Sequence, residues 1–423
     1  MVNLEKIGIQ AREAARVLAG ISSEQKGRAI GILVDLLQTQ QTPILEANLR
    51  DIEQGQADGL NPALIDRLRL TPDRLGGIAD DLNKITHLED PVGQVFDQKV
   101  LPNGLQVHKQ RVPLGVLAVI YESRPNVTVD VTGLALKSGN AAILRGGKET
   151  LHSNRALLSL IHLALAEGGI PISAVQFIDS SDRALVMDLL QMHNVVDMLI
   201  PRGGAGLHKF CRENSRIPVI TGGIGICHLY VAESADLGAA LKVIHNAKTQ
   251  RPSVCNALDT VLVDQTIAEG FIPALIDHMS PAGVKFVLDA EALTWVDADL
   301  ITRGVVTAAG PDDFDQEWLS LVLGIKVVSD LDQAISHIQI HSTGHSDGIL
   351  TQDDAQGKKF VQVVDSAAVY VNASTRFTDG SQLGLGAEVA ISTQRLHARG
   401  PMALEALTTY KWVIRGENHV RPD

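Results

Sequence analysis

Apolar residues recur every three or four positions through the start of the chain. Leu4, Ile7, Ala11, Ala14 and Leu18 share one face, and Ile30, Val34, Leu36 and Leu37 repeat the pattern. A period near 3.6 predicts amphipathic helices, punctuated at Pro43 and Asn61-Pro62. The texture changes after Pro91. Two extended runs, 95–101 and 105–111, flank Asn103-Gly104. Asn-Gly in that setting predicts a hairpin with both turn residues at positive φ. Polar residues fall on both of its faces, so the ribbon reads either as solvent-facing or as an arm that pairs with another subunit. Beyond it, extended apolar stretches at 114–121, 141–144, 175–178, 195–200, 217–221 and 228–232 alternate with helical ones at 127–138, 150–167 and 182–190. A helix at 235–248 leads to a second set, with strands at 260–263, 284–288 and 325–328 and helices at 267–278 and 331–337. Such alternation predicts an α/β fold with parallel sheets covered on both faces.

Composition narrows the class. The 423 residues suggest two or three domains, and a hydrophobic content of 45% excludes a mainly disordered chain. The net charge of -12 and the 4% aromatic content argue against a nucleic-acid partner. There is no apolar run long enough for a membrane, and residues 1–20 mix charges into an amphipathic pattern unlike a signal peptide. The expectation is a cytoplasmic protein. Three cysteines cannot build a disulfide framework, which points to a reduced compartment.

Candidate chemistry is spread over several segments. No G-x-G-x-x-G is present. Thr221-Gly222-Gly223-Ile224-Gly225-Ile226 has the wrong spacing and precedes a strand. Arg202-Gly203-Gly204-Ala205-Gly206 follows a strand and opens a helix, which suits either ligand approach to the helix N-terminus or a plain turn. Arg145 and Lys148 lie at the end of another strand. Basic residues there suit the 2′-phosphate of NADP, or form a solvated turn. Cys211 and Cys227 read as small buried hydrophobes. Cys255 differs, because it follows Arg251-Pro252 in a helix-to-strand connection, and Arg251 would favour the thiolate. His337, His341 and His345 are spaced by four, but Gly344 interrupts the helix that would stack them, and no metal is expected. There is no G-x-S-x-G elbow.

Taken together, these segments resemble the gamma-glutamyl phosphate reductases, or glutamate-5-semialdehyde dehydrogenases, of the aldehyde dehydrogenase superfamily. The anchors are Tyr121-Glu122-Ser123-Arg124-Pro125-Asn126-Val127-Thr128, Leu136-Lys137-Ser138-Gly139-Asn140, Leu144-Arg145-Gly146-Gly147-Lys148-Glu149, Ile200-Pro201-Arg202-Gly203-Gly204, Gln250-Arg251-Pro252-Ser253-Val254-Cys255-Asn256-Ala257, residues 341–351, residues 372–380 and His397-Ala398-Arg399-Gly400-Pro401-Met402. The resemblance implies an aldehyde-dehydrogenase-like architecture. A Rossmann-type cofactor domain would comprise 1–94 and 114–227, and a catalytic domain 228–395. The hairpin 95–113 and the arm 396–423 would form an oligomerisation element of a homo-oligomer, with the active site in the crevice between the large domains.

The implied reaction is NADPH-dependent reduction of L-glutamyl 5-phosphate to L-glutamate 5-semialdehyde in proline biosynthesis, with phosphate release through a Cys255 thioester. By resemblance, Asn126 and the Cys255 backbone N–H form the oxyanion hole, although the residues alone equally allow Asn126 to be a helix N-cap. Glu317 matches the residue that holds the nicotinamide ribose. Ser374 and Arg376 are candidates for the glutamate carboxylate, and Arg124 or Arg251 for the phosphate; structural ion pairs are the alternative. The stretch Ile220-Thr221-Gly222-Gly223 lacks the Glu with which hydrolytic relatives activate water. Ser381-Gln382 and Ala390 depart from the family pattern. Transient contact with glutamate 5-kinase is a further expectation. The rival readings are an NAD(P)-dependent hydrolytic aldehyde dehydrogenase and a non-catalytic binding protein on the same fold.

Overall fold

A computed structural model describes residues 2–222 and 224–421. Five helices open the chain: α1 (Leu4–Leu18), α2 (Ser23–Thr39), α3 (Gln41–Ala57), α4 (Pro62–Leu68) and α5 (Pro72–His87). Asn3, Ser22, Asn61 and Thr71 each accept a backbone N–H from the first turn, which caps four of them. Strands β1 (Val95–Val100) and β2 (Gln106–Pro113) form the hairpin. Then follow β3 (Val116–Tyr121), α6 (Asn126–Lys137), β4 (Ala141–Gly146), α7 (Leu151–Glu167), β5 (Val175–Phe177), α8 (Ala184–Leu190), β6 (Met198–Arg202) and α9 (Ala205–Asn214). The next set is β7 (Cys227–Val231), α10 (Leu237–Thr249), β8 (Leu258–Asp264), α11 (Ala268–Met279), β9 (Lys285–Leu288), α12 (Ala298–Thr302), β10 (Val306–Ala308), β11 (Val322–Val328), α13 (Leu331–His341), β12 (Ser346–Leu350), α14 (Asp354–Val363) and β13 (Ala368–Val371). Short β14 (Ile391–Ser392) and β15 (Gly400–Pro401) precede β16 (Thr408–Arg415).

The chain divides into two compact units. One comprises residues up to Thr221 with Gly384–Ala390 and Met402–Asp423, and the other Gly222–Leu383 with Ile391–Pro401. The first holds a parallel sheet of order β5-β4-β3-β6. Every residue of β3 and β4 is buried, as continuous apolar strands under helices must be. The strand order reverses at β3, between β4 and β6, and open α/β sheets bind ligands at the carboxyl ends of such a point. The same unit carries an antiparallel sheet, β1-β2-β16. The second unit is built on a seven-stranded parallel sheet of order β10-β9-β11-β8-β7-β12-β13. Phe271, Ile276, Phe286, Leu323 and Ile325 pack its core.

Two expectations need correction. The hairpin forms, but only Gly104 of Asn103-Gly104 has positive φ. Gly104 N–H donates to Leu101 O at 2.9 Å, and Leu101 N–H to Leu105 O at 2.8 Å. Pro102 fits the first corner of an ordinary turn, which Gly104 then closes in the left-handed region. Residues 217–221 do not form a strand. A single bridge joins Val219 to Leu199, because Pro218 has no N–H with which to extend the ladder.

Gly115 sets the entry to β3. Its φ is +128°, and a Cβ there would lie 2.1 Å from Asp197 Oδ2. That oxygen accepts Val116 N–H at 2.7 Å and Arg12 Nη1 at 2.7 Å, while Oδ1 accepts Arg12 Nη2 at 3.0 Å. We expect Gly115→Ala to destabilise the protein by about 1–3 kcal/mol through backbone strain, read from the urea midpoint at unchanged slope.

Candidate active-site elements

Cys255 lies in the connection between α10 and β8. Of the three cysteines, Cys211 and Cys227 are buried and Cys255 is half-buried. The Cys255 peptide is braced from behind. A Cβ on Gly225 would fall 1.5 Å from Cys255 O, and the Cys227 thiol donates to the same oxygen at 3.3 Å. Burial, with Asp259 and Asp347 nearby, pushes the Cys227 thiol well above its usual range, so it stays protonated and can donate. The next residue is clamped as well. Asn256 Nδ2 donates to Thr378 O at 2.9 Å and Arg376 O at 3.3 Å, and Asn256 O accepts the Thr375 hydroxyl at 2.7 Å. The Arg376 guanidinium donates to Asn256 Oδ1 and, through Nε, to Gln250 Oε1 at 2.8 Å. Burial lowers the Arg376 pKa, and the neighbouring charge of Arg251 lowers it further. The structure thus brings Arg251, Arg376 and Cys255 together. Ser374 is buried, and its hydroxyl caps the Thr375–Phe377 turn by accepting Arg376 N–H.

The same unit holds a buried ion pair. Lys248 is fully buried, with Nζ 3.7 Å from Asp259 Oδ1. Burial drives the Lys248 pKa down and that of Asp259 up to about 6. Asp259 also accepts Cys227 N–H at 3.3 Å and Trp318 N–H at 3.1 Å. Glu317 accepts Gly225 N–H at 2.9 Å. One carboxylate therefore ties the start of β7 to the 317–318 segment, and a second holds the glycine behind Cys255. Gly222 bridges Ser392, while Gly223 lies outside the described residues.

The histidines do not converge. α13 ends at His341, whose ring tilts against His337 at 4.2 Å between centroids. His345 follows Gly344 and starts a separate chain of hydroxyls: Nδ1 to Ser346 Oγ at 2.8 Å, Ser346 Oγ to Thr378 Oγ1 at 2.6 Å, and Thr378 Oγ1 to Tyr370 Oη at 2.7 Å. Among the described residues, no three His, Cys, Asp or Glu side chains are grouped to hold a metal. Ser381 turns back onto Asp379, and Ala390 is buried.

In the first unit the remaining candidates gather at the carboxyl ends of β3, β4 and β6. Ser123 has φ +44°. Glu149 Oε1 accepts both its N–H (2.6 Å) and its hydroxyl (2.8 Å), holding the turn that delivers Arg124, Pro125 and Asn126. The N-cap alternative for Asn126 does not hold. Pro125 occupies the cap position, and the Asn126 side chain instead donates to Asp130 Oδ2 at 2.9 Å. Arg145 is only 8% exposed, and among the described residues its Nε has no partner, nor has the buried Nε of Arg202. Lys148 is exposed and paired with Asp58 at 2.7 Å. Glu122 Oε2 accepts Gly204 N–H at 3.1 Å and would lie 2.3 Å from a Cβ on Gly203. Arg124 and Arg202 help burial hold the His208 pKa down at about 4. Buried guanidinium edges without partners suit an anionic ligand such as a dinucleotide phosphate.

Gly225 and Glu149 stood in named segments without these roles, and neither the Lys248–Asp259 pair nor Asp130 was marked by any pattern in the sequence. A positive φ at serine and a carboxylate under a distant strand leave no local pattern.

Comparison with known proteins shows the family and the fold. The Aldehyde dehydrogenase family profile matches residues 3–292. A gamma-glutamyl phosphate reductase of Shigella flexneri is 57% identical, over 99% of this chain and 100% of that one. The crystal structure of gamma-glutamyl phosphate reductase from Thermotoga maritima superposes with a TM-score of 0.94 at 46% identity, covering 100% of both chains. An acetylating aldehyde dehydrogenase from Geobacillus thermoglucosidasius shares the fold, with a TM-score of 0.72 at 17% identity over 99% and 98% of the chains.

Two outcomes follow for stability. Lys248→Met strands a buried carboxylate and should cost about 3–5 kcal/mol in urea unfolding. His208 and His345 are held at about 4 chiefly by burial, below the ~6.5 of an unfolded chain. The unfolded state therefore binds more protons between pH 6.5 and 4, and stability that is full above 6.5 is lost as the pH falls. The slope of unfolding free energy against pH in that window should be flatter for His345→Gln than for the parent.

Proposed function

Because the chain belongs to the aldehyde dehydrogenase family, among the gamma-glutamyl phosphate reductases, we propose that it converts L-glutamyl 5-phosphate to L-glutamate 5-semialdehyde with NADPH, through a thioester on Cys255. The observation that carries this reading is the Cys255 turn: one accessible thiol, braced from behind and flanked by two arginines. The Cys255 thiolate attacks the acyl carbon, and phosphate leaves with the electrons of its C–O bond. Negative charge develops on the carbonyl oxygen, for which the Asn126 amide and the Cys255 backbone N–H are the donors. Arg376, with Ser374, is the proposed anchor for the substrate carboxylate, and Arg251 or Arg124 for the phosphate.

The family uses nicotinamide cofactors. The unpartnered Arg145 Nε suits the 2′-phosphate, Lys148 is near it in sequence, and Gly203 and Gly204 permit close backbone approach. Glu317 is assigned to the nicotinamide ribose. When bound, NADPH supplies the hydride that reduces the thioester. Collapse of the reduced adduct returns the thiolate and releases the aldehyde. Residues 220–222 offer no carboxylate to activate water, which favours phosphate exchange over hydrolysis.

We further propose a cytoplasmic homo-oligomer assembled through the β1-β2-β16 sheet. Its edge strand β16 exposes Tyr410, Trp412 and Ile414. Transient contact with glutamate 5-kinase remains part of this reading.

The reaction is tested in reverse, following NADPH absorbance with glutamate semialdehyde, NADP and phosphate. Cys255→Ala should abolish turnover, and Arg145→Ala should raise KM for NADP by roughly tenfold or more while changing that for NAD less. Phosphate-independent turnover, or an active Cys255→Ala, would overturn the assignment.

A further inference from the structure

Asn126 stands at the first turn of α6, a helix fixed on several sides. Val127, Val129, Val131 and Leu134 are buried. Thr128 Oγ1 joins Tyr121 Oη at 2.7 Å and Asn154 Oδ1 at 2.8 Å. A Cβ on Gly133 would come within 2.4 Å of Leu82 Cδ1, so α6 packs closely on α5. The backbone under Asn126 therefore has little freedom, but the side-chain amide has one left. Its oxygen and nitrogen ends are nearly the same shape, so the group can rotate about its last bond and present either end. Only the nitrogen end donates. Presented the other way, a partial negative charge would face the oxygen on which charge develops.

Asp130 lies one turn further along the same face, the spacing at which helix side chains meet. Its Oδ2 accepts Asn126 Nδ2–H at 2.9 Å. An ionised carboxylate can only accept, and so discriminates between the two ends of the amide. Nδ2 carries two hydrogens. One is bound to Asp130, and the other remains for a second acceptor.

We propose that Asp130 is a positioning residue for Asn126: its carboxylate selects the amide orientation in which Nδ2 is the donor and leaves the second N–H for the substrate oxygen. This rests on the reading of Asn126 as an oxyanion donor. Asp130 itself touches neither substrate nor cofactor in this scheme. Burial raises the Asp130 pKa to about 6, partly offset by the Asn126 hydrogen bond and by Arg202, with Asp81 adding to the rise. The carboxylate is therefore ionised at neutral pH.

The experiment is a double-mutant cycle on the full-length enzyme, using Asp130→Leu, which fills a similar space without an acceptor, together with Asp130→Ala, Asp130→Asn and Asn126→Ala. Loss of an oxyanion donor costs on the order of 10²–10³ in kcat. We expect Asn126→Ala to show a loss of that size, and Asp130→Leu to lower kcat by at least tenfold within that bound, with KM within twofold. Asp130→Asn, which offers an acceptor but also a donor that can hold the Asn126 amide the other way round, should fall between Asp130→Leu and the parent in kcat. In the Asn126→Ala background, Asp130→Leu should change kcat by less than twofold. The rate of Cys255 alkylation by iodoacetamide should be the same in all folded variants, because alkylation uses no oxyanion donor. An unchanged kcat in Asn126→Ala would remove the underlying reading. A low kcat in Asn126→Ala beside a normal one in Asp130→Leu would overturn the Asp130 proposal alone, as would additive losses in the double variant. If Asp130→Leu does not fold, Asp130→Ala takes its place in the cycle. Failure of both to fold, with Asp130→Asn folded, would assign Asp130 to stability and overturn the proposal.

Discussion

The carbonyl oxygen of Cys255 occupies the space where a side chain at position 225 would begin, 1.5 Å from the ideal Cβ. This close approach organises the segments around it. Gly225 must be glycine for steric reasons, although its φ is ordinary. Glu317 holds the Gly225 N–H, and the Cys227 thiol, two residues on, binds the same Cys255 oxygen from the side. Asp259 then fixes Cys227 and Trp318 through their backbone N–H groups. A nucleophile in a loop gains most when the loop cannot move, since a misplaced reacting atom forfeits much of the benefit of proximity. Here the rigidity comes from backbone contacts and buried carboxylates in addition to apolar packing.

These groups share an unexpected position. Cys227, Cys255, Trp318 and His345 each precede or begin a strand of the seven-stranded sheet, so the cysteine centre lies at its amino edge. In the other unit, Glu122, Arg145 and Arg202 lie at the carboxyl ends of β3, β4 and β6, where a parallel sheet ordinarily receives its ligand. The dinucleotide assignment to the first unit follows that common rule. Cys255, the proposed nucleophile, depends instead on what presses against it.

That difference explains what was legible beforehand. Helices such as α1 announce themselves by spacing, and buried strands such as β3 by continuous apolar runs. Cys255 stood out from Cys211 and Cys227 through its proline-containing connection, and Arg145 through its place at a strand end. The failures are physical. Asn103-Gly104 suggested one turn type, but Pro102 favours another. The run 217–221 is apolar enough for a strand, yet Pro218 breaks the ladder. The N-cap alternative for Asn126 rested on the general preference of Asn for that role, and it gives way to a pairing with Asp130 one turn along α6. Ser123 in the left-handed region, held by Glu149, and Lys248 against Asp259 arise from residues distant in sequence or from backbone conformation, which periodicity does not record.

The Lys248–Asp259 pair also constrains how this sequence can drift. Buried ions cancel only together, and a well-packed apolar pair in their place can be as stable or more so. That endpoint is separated from the present state by an intermediate in which one ion is left alone in the interior. Single substitutions meet that barrier from either side. The two positions therefore behave as one heritable unit, held less by the energy of their attraction than by the absence of a passable single step away from it.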